Sequence, residues 1–167
     1  FSITLIPMLT NQFSEKTFTS LKLYFQHFEF NASIYFILRA FGFWFKGYNI
    51  IETLGPCMAF VTLFLISFGA IFLYYSKKSL ETALLYSLTI YLLMSTTIHP
   101  WYILTLIPLG LLSGHWYPVI WSFTVFWSYF GYDSAGYDLP IWWILSEYII
   151  LFGAIGVELK KKYAALI

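Results

Sequence analysis

Long apolar runs alternate with short polar breaks along this chain, and several runs have the length of a helix that crosses a membrane. Such a helix needs roughly 20 mostly apolar residues, within about 17–25. Residues 54–75 are an uncharged run of 22 and residues 82–98 a second of 17. Residues 100–114 and 117–132 are shorter, at 15 and 16, but wholly uncharged, and a Trp-Tyr pair sits at the start of each. Residues 140–157 add 18 with one charge, Glu147. The pattern predicts an all-α, polytopic transmembrane bundle of about five full spans. Residues 100–132 have a second solution, a single re-entrant hairpin. Residues 1–9 read as the end of a further span, so the chain is expected to be the C-terminal part of a larger membrane protein.

Residues 10–53 are too polar to span and too apolar for a free loop. Leu21, Phe25 and Phe28 recur at i, i+4, i+7, while Lys22, Gln26, Glu29 and Ser33 occupy another face. That spacing predicts an amphipathic helix in the membrane interface. Ile34, Leu38 and Phe41 continue the stripe with Arg39 turned away from it, and Gly42 and Gly47 are expected to break it. One transmembrane domain therefore covers residues 1–167: a partial span (1–9), an outer segment (10–53), five spans (54–157) and a tail (158–167).

Composition strengthens the membrane assignment. Hydrophobic residues are 60% of the 167 and charged residues 10%, against about 45–50% and 25% in soluble domains. Aromatic residues reach 23%, which suits interfacial belts. Too few charges are present to cover a water-soluble surface, and the high hydrophobicity excludes intrinsic disorder. A net charge of +1 gives no basis for nucleic-acid binding, and the single cysteine, Cys57, excludes an internal disulfide.

Charge also orients the spans. Lys77 and Lys78 lie between the first two full runs, and Lys160, Lys161 and Lys162 follow the last. The positive-inside rule puts both clusters in the cytoplasm, and four intervening crossings return the chain to the same side. A re-entrant hairpin would preserve that parity. The outer face then receives residues 10–53, the corner His99-Pro100-Trp101-Tyr102 and the loop 132–139 with Asp133 and Asp138. His115 is expected at the cytoplasmic interface.

The candidate chemistry lies mostly outside. His27, Glu29, Asn31, Tyr35 and Arg39 fall within 13 residues. They form either the wet side of an interfacial helix or a lid presenting Arg39 and His27 to a phosphate, which arginine binds bidentately. Asn31-Ala32-Ser33 fits a glycosylation sequon, but lies too close to membrane aromatics for a glycan to be expected. His99 reads as a helix-end residue or a phosphate ligand. Trp101 and Tyr102 read as belt aromatics or as stacking faces for a sugar or lipid chain. Glu147 is the one charge well inside a run; intramembrane carboxylates face a bundle interior or a cavity, so it is either a polar functional site or a structural hydrogen-bonding group. The three histidines are far apart in sequence, without metal-ligand spacing, and neither a metal site nor a cofactor is identifiable.

Two of these stretches carry a resemblance. Phe28-Glu29-Phe30-Asn31-Ala32-Ser33-Ile34-Tyr35 with Arg39, and Thr97-Ile98-His99-Pro100-Trp101-Tyr102 followed by Pro108, resemble the C-terminal half of polyprenyl-phosphate-sugar-dependent glycosyltransferases of the GT-C superfamily. The likeness is to mannosyltransferase-like members from Bacteroidetes, and it covers roughly residues 21–132. It implies a multi-span enzyme of the bacterial inner membrane with an extracytoplasmic active site. Its donor would be a sugar on a polyprenyl phosphate, its acceptor a glycan or lipid, and its surroundings membrane lipid. Substrate contacts would come from Arg39, His99, His27, Asn31, Tyr102 and Trp101. The family's catalytic aspartate lies in the first outer loop, so the base is expected upstream of this chain, and Asp133 and Asp138 are not assigned to that role. Two rivals belong to other classes: a secondary transporter or lipid-linked-sugar flippase, for which no internal repeat is found, and a non-catalytic membrane scaffold, which has no need of the His, Glu, Asn and Arg cluster.

Overall fold

The computed structural model describes residues 15–17, 19, 29–133, 136–137 and 139–164. The described chain is mainly helical, with one small hairpin and non-helical segments at 29–33 and 95–99. Helix α1 is Ile34–Lys46, α2 is Ile51–Tyr75 and α3 is Leu80–Met94. Short helices α4 (Pro100–Leu104), α5 (Leu106–Ser113) and α6 (Tyr117–Thr124) follow, and α6 runs on into a 3-10 turn, Val125–Gly131. Strands β1 (Tyr132–Asp133) and β2 (Gly136–Tyr137) pair antiparallel, Tyr132 with Tyr137 and Asp133 with Gly136. Helix α7 is Ile141–Ala164.

Among the described residues, two helical stretches are long and apolar enough to cross a membrane: α2, and Ile141–Lys161 of α7. The other three predicted spans are interrupted, each for a local reason. The run 82–98 leaves the helix after Met94. There the Ser95 hydroxyl accepts from the Thr97 amide (3.2 Å) and donates to its carbonyl (2.8 Å), turning the chain extended. The 15 residues of α3 rise about 22 Å, against a hydrocarbon core of about 30 Å. The run 100–114 divides at Thr105, because Pro108 has no N–H for the carbonyl of Leu104. The run 117–132 tightens after Thr124. Hydroxyls of Ser122 and Ser128 return to carbonyls three residues back, at 2.7 Å each, where they compete with the backbone ladder.

The outer segment also departs from its sequence pattern. Residues 21–28, with His27, lie outside the described residues. The expected helix does not continue through 29–33. Phe30 is extended and pairs in parallel with Thr97, and Asn31 is left-handed at φ 48°, a conformation asparagine tolerates better than most residues. Helix α1 begins only at Ile34. Gly42 does not break it but sits inside, where a Cβ would fall 2.4 Å from the Ile50 side chain. Gly47 ends the helix at φ 74°, donating to the carbonyl of Phe43.

The core runs along α3–α7 through Leu85, Leu92, Ile103, Leu106, Trp121 and Leu151, all buried. Helix α2 stands at the edge. Its Phe60, Phe64, Phe68 and Phe72 recur every fourth residue, on one helical face, and all are exposed. A second small core, Ala32, Tyr35, Ile51 and Met58, ties α1 to α2. Contacts sort the molecule into two ends. One gathers the start of α3, the α5–α6 turn and the end of α7. The other gathers residues 29–33, the turn 95–99, the hairpin and the start of α7.

Candidate functional site

The second of these ends is organised by the chain at Glu29–Ser33. The Phe30 amide donates to the carbonyl of Thr96 (3.1 Å), and the Ile98 amide donates to the carbonyl of Phe30 (2.8 Å). The Ser33 hydroxyl donates to the carbonyl of Leu93 (2.7 Å). This segment therefore fills the backbone groups that α3 leaves open where it unwinds, which is why an apolar, helix-like sequence becomes extended here.

Asn31 fixes the segment to α7. Its amide donates to Glu147 Oε2 at 2.9 Å, and the Trp121 indole donates to Glu147 Oε1 at 2.8 Å. The Tyr148 hydroxyl donates to the carbonyl of Asn31 at 2.8 Å. Asn31 is 0% exposed and Glu147 1%. Asn31, read from sequence as a substrate contact, is thus enclosed and positions its neighbours. Glu147 accepts hydrogen bonds from an amide and an indole on two other segments. A buried carboxylate without such donors carries a large desolvation penalty.

Around the bridge lies an aromatic cluster. The His99 ring stacks on Phe30 (centroids 4.7 Å) and on Trp101 (4.3 Å, planes 7° apart), with Tyr102 edge-on at 5.4 Å. Tyr132 of the hairpin reaches Phe30 at 6.0 Å. Trp101 is 52% exposed and Tyr132 56%, so aromatic surface remains open at this corner. Burial holds the His99 imidazole below the usual histidine range, which favours the neutral ring at neutral pH. Pro100 starts α4, where its missing N–H costs no hydrogen bond.

Arg39 lies on the α1 side of the same segment. Its Nη1 pairs with Glu29, which also accepts from the Tyr35 hydroxyl and, at 2.7 Å, from the Asn49 amide. The guanidinium also stands over Phe36, 4.8 Å from the ring centre. Burial first, and then the Glu29 carboxylate, push the Tyr35 phenol well above its ordinary range. These groups open on a cleft of about 670 Å³ whose walls include Glu29, Arg39, Phe43 and Leu139. His99 is not one of its walls. Arg39 and His99 thus flank Glu29–Phe30 from two sides, with the arginine already matched by a carboxylate.

Sequence reasoning missed several contributors, the Trp121 indole among them. Tyr132 joins the aromatic corner from thirty residues beyond Tyr102, and only its place next to the outer loop hinted at this. Asn49 supports Glu29 and caps α2 by accepting from the Ile51 amide at 3.1 Å. At the opposite end His115, read as an interface residue, is buried and pairs with Glu158, while the Tyr86 hydroxyl meets its Nε2 at 3.1 Å. Glu158 Oε2 also accepts the Trp116 and Tyr117 amides at 3.1 and 3.2 Å, capping α6.

Among the described residues, no three histidine, cysteine or carboxylate side chains converge as a metal site would require. Comparison with protein-family models, with curated proteins and with solved structures returns no match for this chain.

Proposed function

We propose that this chain belongs to a multi-pass membrane glycosyltransferase that transfers a sugar, mannose in the members it resembles, from a polyprenyl-phosphate donor to an extracytoplasmic glycan or lipid acceptor. The observation that carries this reading is the pairing of Phe30 with Thr97. The two stretches that resemble the family are distant in sequence, yet they are hydrogen-bonded to each other and form one corner. In this reading α2 and α7 are full spans, the interrupted helices between them complete the bundle, and both lysine clusters are cytoplasmic.

The corner has the groups such a reaction needs for binding. In transfer, an acceptor hydroxyl attacks the anomeric carbon, the bond to the phosphate oxygen breaks, and polyprenyl phosphate leaves. A neutral His99 can donate an N–H to that phosphate without bringing a second charge to a low-dielectric site. Trp101, Tyr102 and Tyr132 offer ring surface to the sugar or the first prenyl units. Arg39 anchors Glu29–Phe30 from the α1 side through its Nη1. No residue of this chain is assigned as the base that takes the acceptor proton.

The test is transfer of radiolabelled sugar by the full-length protein in proteoliposomes. His99→Ala and Trp101→Ala should each lower transfer by roughly tenfold or more, the scale of a lost transition-state contact. Arg39→Lys, which keeps the charge but loses the planar fork, should lower it more than Lys46→Arg. Unchanged transfer in an Arg39→Ala, His99→Ala double variant would remove this site. Absence of transfer with every polyprenyl-linked sugar offered, by a protein that moves them across the bilayer, would favour the flippase.

A further inference from the structure

Helices α1 and α7 diverge to leave an apolar groove of about 470 Å³, walled by Ile37, Phe41 and Trp44 on one side and by Leu145, Tyr148 and Phe152 on the other. Ile37, Phe41 and Trp44 are exposed, so in a bilayer the groove opens sideways to lipid. Four residues, Phe36, Ala40, Ile141 and Ile144, wall both this groove and the Glu29–Arg39 cleft. A long apolar slot therefore leads directly to a paired carboxylate and guanidinium.

We propose that groove and cleft form one site for a glycerophospholipid with a zwitterionic primary-amine headgroup. One acyl chain lies between α1 and α7, the phosphate faces Arg39, and the ammonium faces Glu29. The inference rests on the membrane-spanning reading of the chain and not on sugar transfer.

Charge decides the headgroup. The cleft holds one anion and one cation already in contact. An anionic headgroup would put a second negative charge beside Glu29 with a single guanidinium to share. A zwitterion adds one charge of each sign and leaves the cleft balanced. Arg39 has donors for this: a guanidinium carries five N–H groups, and the contact with Glu29 uses Nη1. A primary ammonium has three N–H donors for the carboxylate, whereas a quaternary ammonium has none, so ethanolamine-type lipid is favoured over choline-type. Groove and cleft, at about 470 and 670 Å³, each fall in the range of sites that enclose small ligands, about 300–1,000 Å³.

The experiment is native mass spectrometry of the full-length protein. It would be extracted in mild detergent after equilibration with vesicles of equal parts phosphatidylethanolamine, phosphatidylglycerol and phosphatidylcholine with identical acyl chains. One phosphatidylethanolamine per chain should persist, preferred roughly tenfold over either competitor, as one extra charge-assisted contact would give. Glu29→Gln should abolish the preference while lipid still binds. Ala40→Trp should plug the boundary between groove and cleft and expel the lipid, with the Glu29–Arg39 pair untouched. Equal retention of phosphatidylglycerol, or a preference that survives Glu29→Gln, would overturn the headgroup assignment. Should Glu29→Gln not fold, undiminished lipid in Ala40→Trp would overturn the site by itself. A protein that stays dispersed in water without detergent and retains no lipid would instead sink the membrane reading, which separates the two failures.

Discussion

Helix α7 carries two buried carboxylates, one toward each end of the molecule, and the bundle satisfies them differently. Glu147 accepts from side chains, the Asn31 amide and the Trp121 indole, and so holds an irregular segment against two helices, α6 and α7. Glu158 accepts two backbone amides at the start of α6 and pairs with His115. One carboxylate recruits a loop; the other completes a helix end. The Asn31 amide reaches Glu147 from a left-handed residue, φ 48°, so the Glu147 end includes a special conformation. The Glu158 end depends on two regular helices meeting at the partial positive charge of an N-terminus.

The sharpest way to break this comparison is to remove each acceptor. Glu158→Leu should cost about 3–5 kcal/mol, because it leaves a buried histidine and two amides without their partner. Denaturant unfolding in detergent would measure it, and a loss below about 1 kcal/mol would mean that water already satisfies this end.

The conformational dependence of the other end is tested at Asn31. Asn31→Ala should cost about 2 kcal/mol for the lost bond to a carboxylate, plus the strain of a Cβ residue at φ 48°. Asn31→Gly loses the same bond without the strain, so it should recover about 1 kcal/mol of that loss. If the two variants are equally stable, the left-handed turn contributes nothing.

A smaller contrast comes from glycines at the two ends. A Cβ at Gly110 would lie 2.8 Å from the His115 carbonyl oxygen, which is backbone, and 2.9 Å from Pro118. A Cβ at Gly42 would meet side-chain atoms alone, Ile50 Cδ1 at 2.4 Å and Cγ1 at 2.6 Å, which a change of rotamer can move. Gly110→Ala should therefore lower stability by about 1–3 kcal/mol, as overpacking does, and Gly42→Ala by less. The reverse order in thermal scans would show that α5 and α6 can separate.

pH gives the finest distinction, tested at the Phe30 end. Tyr35 has a raised pKa, so its contribution is full below the unfolded value near 10 and is lost as pH climbs through the higher folded value. Tyr35→Phe should flatten the alkaline decline of stability. His99 has a lowered pKa, so the unfolded chain takes up its proton first. Its contribution is present above about pH 6.5 and falls away as pH drops through the folded value. His99→Gln should flatten the acid decline. Identical pH profiles for wild type and both variants would contradict the burial of these groups.

The helical class, the apolar spans at α2 and α7, and several boundaries are legible in the residues themselves. Gly47 ends α1, Ser79 caps α3 through the Thr82 amide, and Pro100 starts α4. Each is a short-range effect, set by what one residue allows within a turn. The interruptions in the three middle runs were partly legible, since Pro108 and the clustered hydroxyls of residues 122–128 weaken a helix wherever they occur. The sequence could not show which interruption would be used, because an apolar run fits a helix, a 3-10 turn or an extended segment until a neighbour chooses.

The Phe30 corner belongs to the tertiary structure. Leu21 to Phe41 has one continuous helical period, yet Phe30 leaves it because the unwound end of α3 offers a carbonyl and an amide that only an extended strand can meet. Asn31 and Glu147 are 116 residues apart, and periodicity carries no information at that separation. Glu147 could be identified from sequence as a carboxylate in need of partners, since an apolar run cannot solvate it. That its donors are Asn31 and Trp121, and that Arg39 faces Glu29 across the bridge from His99, follows from how three helices and one loop close on each other. Local sequence sets what each segment can form; desolvation of the polar groups left over decides which segments must touch.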